Sequence, residues 1–255
     1  MKRFIFAIFF EPLRSVDKQS ILKRLFTLFI LIQLFIGSYG QQTVPLNEPN
    51  HDDRPIHFGF CIGLNMMNFV VHPNAQLSLD KNKRILASVS QPSPGFHIQV
   101  VSNYRLAEYF DLRFLPGVSF GQRTLNFFKD DTLIRGGDQK LESNFLEFPL
   151  LLKYKSKRLN NFRPYIITGS NFRIDLAKTL SEDDGIYLAL KRFDLYYEIG
   201  AGIDCYMPYF KMSIELKYSY GFVNVLRQKS NSHPEFQNSI DRLNSTLTML
   251  SFIFE

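Results

Sequence analysis

The chain has no tryptophan, two cysteines and five histidines in 255 residues. Each scarcity removes a class of function. Cys61 and Cys205 cannot form a metal or redox spacing by themselves. His51, His57, His72, His97 and His233 are scattered without the i, i+4 interval of a metal site. No glycine-rich phosphate loop and no serine-elbow motif occurs. Beyond residue 40 there is no long apolar run, which excludes a transmembrane helix there. Charge is also sparse where nucleic acid would need it. The first forty residues hold six basic and two acidic side chains, so only +2 of the formal +6 remains for the rest. That remainder forms no basic face, and nucleic acid is not expected as a partner.

What is present is aromatic and alternating. Phe and Tyr number 26 and 12, and both favour strands. Segments in which every second residue is apolar read as strands with one apolar face. Eight stand out: His57–Phe69, Gly95–Leu106, Phe110–Phe127, Glu142–Lys155, Phe162–Leu176, the stretch from Phe193 to Asp204, Phe210–Phe222 and Asn244–Phe254. The clearest is the seventh, where Phe210, Met212, Ile214, Leu216, Tyr218, Tyr220 and Phe222 alternate with Lys211, Ser213, Glu215, Lys217, Ser219 and Gly221. Pro116 cannot donate to a ladder and predicts a bulge in the third strand. The connections alternate long and short: His72–Pro94, Lys129–Lys140, Ala177–Lys191 and Asn224–Leu243 are long polar loops.

That rhythm, with strands long enough to cross at about 9–11 residues each, points to an all-β fold: a transmembrane antiparallel β-barrel of about eight strands spanning 56–255. A soluble sandwich is the competing reading of the same alternation. On the barrel register the lipid-facing set includes Phe58, Phe60, Ile62, Phe148, Leu150, Leu195, Tyr197, Met212, Ile214, Leu216, Tyr218, Phe252 and Phe254. The opposite face carries Arg113, Arg123, Glu147, Lys153, Arg173, Asp175, Asp194, Glu198, Asp204, Lys211, Glu215 and Lys217. Charges of both signs in a narrow lumen should pair, because an unpaired buried charge is costly. The expectation is a closed lumen plugged by ion pairs, with Cys61 facing in and Cys205 facing out as small fillers. An alternative makes Glu198, Asp204 and Glu215 a general acid–base set, but no nucleophile or histidine accompanies them. Glu182-Asp183-Asp184-Gly185 lacks the longer ligand pattern of a calcium loop and reads as a solvated tip. No catalytic residue, cofactor, metal or small-molecule substrate is expected.

The N-terminal forty residues read differently. Lys23-Arg24 precedes the apolar stretch from Leu25, which ends in Ser38-Tyr39-Gly40. A charged start, an apolar core and a small-x-small ending describe a secretory signal peptide cleaved after Gly40, with a retained helix as the rival reading. A true start near residue 21 would explain the polar interruption Glu11–Ser20. Gln41–Pro55, rich in proline and without period, reads as a periplasmic lead-in. Export and barrel together imply integral placement in a bacterial outer membrane, with its lipid as partner.

The segments Asp52-Asp53-Arg54-Pro55-Ile56-His57-Phe58-Gly59-Phe60 and Gly63-Leu64-Asn65-Met66-Met67-Asn68-Phe69 resemble the PorT family of small outer-membrane barrels from Bacteroidetes. Leu115–Gly121 and Leu146–Tyr154 resemble the same family, and also small Bacteroidetes barrels more widely. The resemblance implies a non-enzymatic component of the type IX secretion system, with other secretion subunits as partners. It would serve protein transport of sorting-domain cargo: proteases, adhesins and gliding motility proteins. The alternatives are a general small barrel for adhesion or envelope integrity and, further off, a barrel hydrolase of lipid or peptide.

Overall fold

In the computed structural model, residues 45–74, 85–89, 92–129, 132–176, 190–227 and 239–255 are described. The signal-peptide reading and the acidic tip at 182–185 therefore lie outside the described residues. Leu46–Glu255 is one compact unit.

The strands are β1 (Ile56–Pro73), β2 (Ile85–Val89), β3 (Ser93–Arg105), β4 (Phe110–Phe114), β5 (Gly117–Lys129), β6 (Thr132–Lys155), β7 (Phe162–Asp175), β8 (Phe193–Tyr206), β9 (Lys211–Gly221) and β10 (Ile240–Phe254). All pairings are antiparallel, and the sheet closes because β1 pairs both β10 and β3. β2 and β3 share one flank of β5, and β4 and β5 share one flank of β6, so the ten segments occupy eight positions in the ring. The break between β4 and β5 falls at Leu115-Pro116, where proline cannot continue the ladder. Backbone polarity is still satisfied there, since Val100 N–H donates to the Pro116 carbonyl at 2.8 Å and Leu115 N–H to that of Pro149 at 3.1 Å.

The side chains invert the usual inside–outside rule. Phe58 is 70% exposed and Leu216 57%, whereas Arg113, Glu147, Lys153 and Glu215 are 0% exposed. Only a solvent more apolar than water makes that arrangement favourable, which is the physical case for a bilayer around the ring. Outer rings stack across strands, as Phe60 on Phe254 at 5.0 Å and Phe96 on Phe120 at 4.9 Å.

Two expectations about loops need correction. Lys129–Lys140 is not a loop: β5 and β6 continue as a hairpin in which Phe128 pairs Leu133 and Lys129 pairs Thr132. The loop expected over His72–Pro94 likewise contains β2. Both segments lie at the long-loop end, where β2 is only five residues long and where Phe127-Phe128 and Leu133-Ile134 break the alternation that marks a strand. That end has its own apolar core. Phe69, Leu125, Phe127, Leu141, Val225, Leu226, Ile240 and Leu243 are buried together, with Ile85 and Val89 of β2 packed against them. The barrel interior is thus charged along the membrane-spanning part and apolar at the long-loop mouth.

Candidate functional site: a charge-filled lumen and its strap

Among the described residues the lumen holds seven basic side chains (Arg113, Arg123, Lys153, Lys155, Arg173, Lys211, Lys217) and eight acidic ones (Asp111, Glu147, Asp175, Asp194, Glu198, Asp204, Glu215, Glu255). Strand alternation puts them there: in β9, Lys211, Glu215 and Lys217 occupy every inward position that Ser213, Ser219 and Gly221 do not. Most join one alternating chain. Glu147 meets Arg173 at 3.3 Å, Arg173 meets Glu198 at 3.1 Å, and Lys217 stands 3.6 Å from Glu198 and 3.5 Å from Glu215. Glu215 continues to Arg113 at 3.0 Å, Arg113 to Glu255 at 3.8 Å, and Glu255 to Lys211.

Beside this chain, Lys153 grips both oxygens of Asp204 at 2.8 and 2.7 Å, and Lys155 meets Asp111 at 2.6 Å. Neutral groups take up remaining lone pairs: Gln99 donates to Glu147 at 2.9 Å, Asn171 to Glu198 at 2.7 Å, Tyr165 to Glu215 at 2.7 Å and Ser213 to Asp204 at 2.6 Å. Tyrosine rings cover cations as well, with Lys153 Nζ 3.7 Å from the Tyr165 ring centre and the Arg173 guanidinium 4.1 Å from that of Tyr196. Removing a charge from water costs several kcal/mol, so only such dense pairing makes this interior tolerable.

Of the charges read from sequence, Asp175 pairs with Arg123 at 3.6 Å near the long-loop end. Asp194 is buried there with no ion pair among the described residues; its Oδ1 accepts the Leu195 N–H at 2.8 Å. Glu198 and Glu215 are brought to one lysine, but Asp204 belongs to a different pair, so the three carboxylates form no common acid–base centre. His97 Nε2 lies 3.0 Å from Ser251 Oγ, a pairing the sequence did not reveal. Both residues are 0% exposed, so this pair cannot meet a substrate. The alternation of their strands puts Asp111 and Lys155 on the inner face, but their pairing, and the part taken by Glu255, were not read from the sequence.

On the outer wall, Phe58, Phe60, Ile62, Leu150, Leu195, Tyr197, Ile214, Leu216 and Tyr218 are exposed, while Phe148, Met212, Phe252 and Phe254 are half-covered by neighbours. Cys61 is buried in the lumen and Cys205 lies on the outer side among Phe162, Pro164 and Ile203, only 8% exposed; both are free thiols.

The second feature is the segment before β1, which does not dangle. It crosses the short-turn end and includes a 3-10 turn at His51–Asp53. Asp52 accepts hydrogen bonds from Arg163 at 2.9 Å and from the Tyr206 hydroxyl at 2.7 Å. His51 stacks on His57 with ring centres 4.3 Å apart. Asn47 donates to the Tyr206 carbonyl at 3.0 Å, and Arg158 donates to the carbonyls of Asn47 and Glu48 while lying 3.6 Å above the Tyr206 ring. Arg163 also donates to the Glu108 carbonyl at 3.1 Å, tying a second turn into the same knot. Burial alone would raise the Asp52 carboxyl; contacts from His51 and Tyr206 and the charges of Lys211 and Arg163 outweigh it and hold the group well below the usual carboxylate range. The polar stretch read as a periplasmic lead-in is thus, from Asn47 to Asp53, a strap across the short-turn end.

Among solved barrels, the chain is similar to Neisserial surface protein A (11% identity, 78% of this chain and 98% of that one, TM-score 0.39). Ail, the attachment invasion locus protein of Yersinia pestis, matches at 12% identity over 77% and 96% with TM-score 0.34, and AlkL, an outer membrane protein, at 12% over 86% and 96% with TM-score 0.39. No curated protein matches the chain. The family model described as "Outer membrane protein beta-barrel domain" matches residues 40–227, so the chain belongs to that family of outer-membrane barrels.

Proposed function

We propose that the protein is a non-enzymatic accessory barrel of the type IX protein secretion machinery, required for export of sorting-domain cargo. The observation that carries the non-channel part is the lumen itself: a buried chain of ion pairs, strapped at one end and packed with apolar side chains at the other, leaves no path for a polypeptide. Function then falls to the outside, to the loops and to the periplasmic end with its strap, where other secretion subunits would dock. The resemblance of Asp52–Phe60 to the PorT family supplies the machinery, and that same segment contains the strap's anchoring Asp52. Export through a signal peptide cleaved after Gly40 belongs to this reading.

Deleting the gene and measuring secreted sorting-domain proteins tests it. Loss of secretion, restored by the wild-type gene, is expected; unchanged secretion refutes the proposal. A second reading, adhesion or envelope integrity, is favoured by the apolar-cored extension of β1, β2, β5 and β6 at the extracellular end. Under it, pull-down of the native protein recovers no secretion subunit.

A further inference from the structure

The outer wall of the barrel is not uniform. Two depressions, of about 740 and 590 Å³, share Tyr154, Ile166, Ala201 and Leu216 and form one furrow along β8. The inner face of β8 is bare at the same level. Gly200 and Gly202 face inward where a Cβ would come 2.7 Å from Lys217 Cγ and 2.5 Å from the Tyr165 ring. At these two positions β8 has no side chain on its inner face, and the space is taken by Lys217 and Tyr165. Its only outward group at this level is the methyl of Ala201, between Ile166 and Leu216 of the flanking strands.

Dimensions decide what the furrow accepts. Adjacent strands lie about 4.8 Å apart, so the Ile166 and Leu216 walls are roughly 10 Å apart at the backbone; once their side chains are subtracted, the slot is about one hydrocarbon chain wide. A helix, about 10–12 Å across, is too broad to enter. From Phe162 to Thr168 on β7 the furrow runs roughly 20 Å, or about 15 Å of depth at a 40° strand tilt, half of a ~30 Å hydrocarbon core. It reaches Ser156 at the short-turn end, and the next residue, Lys157, is an exposed cation; a short-turn end of an outer-membrane barrel lies at headgroup level.

We propose that this furrow is a binding site for a single phospholipid of the inner leaflet, with one acyl chain lying over Ala201 and the phosphate near Lys157. Because lipid tails are as apolar as the wall, binding comes from close dispersion contact rather than from a hydrophobic driving force. A seated chain therefore exchanges more slowly than its neighbours around the barrel. The inference depends on outer-membrane placement, not on the secretion reading.

The test is native mass spectrometry of the full chain released from nanodiscs of phosphatidylethanolamine and phosphatidylglycerol. Wild type is expected to retain one phospholipid. Ala201→Phe fills the slot and lowers the lipid-bound fraction about tenfold, whereas Ile98→Phe, on the opposite exposed wall of β3, leaves it unchanged. Heat-modifiable gel migration checks that each variant is folded; should Ala201→Phe fail, Ile166→Ala removes one wall and is expected to reduce retention as well. Lys157→Gln is expected to reduce retention of phosphatidylglycerol more than of phosphatidylethanolamine. Wild type that keeps no lipid, or folded Ala201→Phe and Ile98→Phe variants that lose it equally, overturns the proposal.

Discussion

Replacing Asp204 by asparagine isolates the energetics of the lumen in one pair. In the wild type the Lys153 ammonium is held by both Asp204 oxygens at 2.8 and 2.7 Å, with the two side chains 0% and 1% exposed. The Asp204→Asn amide keeps the shape and the Ser213 hydroxyl as a neighbour but removes the charge, stranding a cation away from water. Breaking a buried pair from one side costs about 3–5 kcal/mol, roughly a 200- to 5,000-fold shift toward the unfolded barrel. Lys153→Met alone leaves the converse defect, an unpaired Asp204, softened by the Ser213 hydrogen bond at 2.6 Å and by Lys211 and Arg113 nearby. The double variant Asp204→Asn, Lys153→Met removes both charges and is expected within about 1 kcal/mol of wild type, giving a coupling energy of several kcal/mol in the double-mutant cycle. The assay is reversible urea unfolding in lipid vesicles, followed by the heat-modifiable mobility of the folded barrel. A double variant as unstable as the sum of the two singles would refute the idea that the lumen is stabilised by pairing rather than by the individual charges.

Other consequences can be checked on the same footing. Asp52, held below the usual carboxylate range in the folded state, contributes strap stability that is fully present above about pH 4 and is lost as pH falls further. The protection factors of the Asn47–Arg54 amides against hydrogen exchange should therefore fall in acid for wild type and already be low at neutral pH in Asp52→Asn; identical protection in both would refute this. Phe127→Ala, at a side chain 0% exposed in the long-loop core, is expected to cost about 3–5 kcal/mol and to expose the β5–β6 hairpin to protease, while Cys61 deeper in the lumen stays unreactive. Leu216→Arg, on the exposed wall midway along β9, should cost about 2–4 kcal/mol in a bilayer. A much smaller cost would place that wall in water and contradict the membrane assignment.

The alternation of β9 shows how much was legible from residues alone. Side chains of a strand point to opposite faces with a period of two, so Met212 to Tyr220 and Lys211 to Gly221 separate into an apolar and a polar series before any fold is known. Rows of that kind, together with the rhythm of long and short connections, determined the all-β class, the eight positions, the outward wall and the interruption at Pro116. The same local rule failed at β2 and at the β5–β6 hairpin, because β2 is only five residues set among polar neighbours, and adjacent apolar pairs such as Phe127-Phe128 and Leu133-Ile134 break the period of two.

Partnership was decided only in three dimensions. No spacing links Asp52 to Arg163 and Tyr206, or joins Glu198 and Glu215 through Lys217, because these contacts depend on the stagger of a closed ring. Nor does the sequence reveal that Ala201 lies between Ile166 and Leu216 in a furrow of the outer wall. Which face each residue occupies follows from the periodicity of its own strand; which residue it meets follows from strands distant in the chain, and that the closed barrel alone sets.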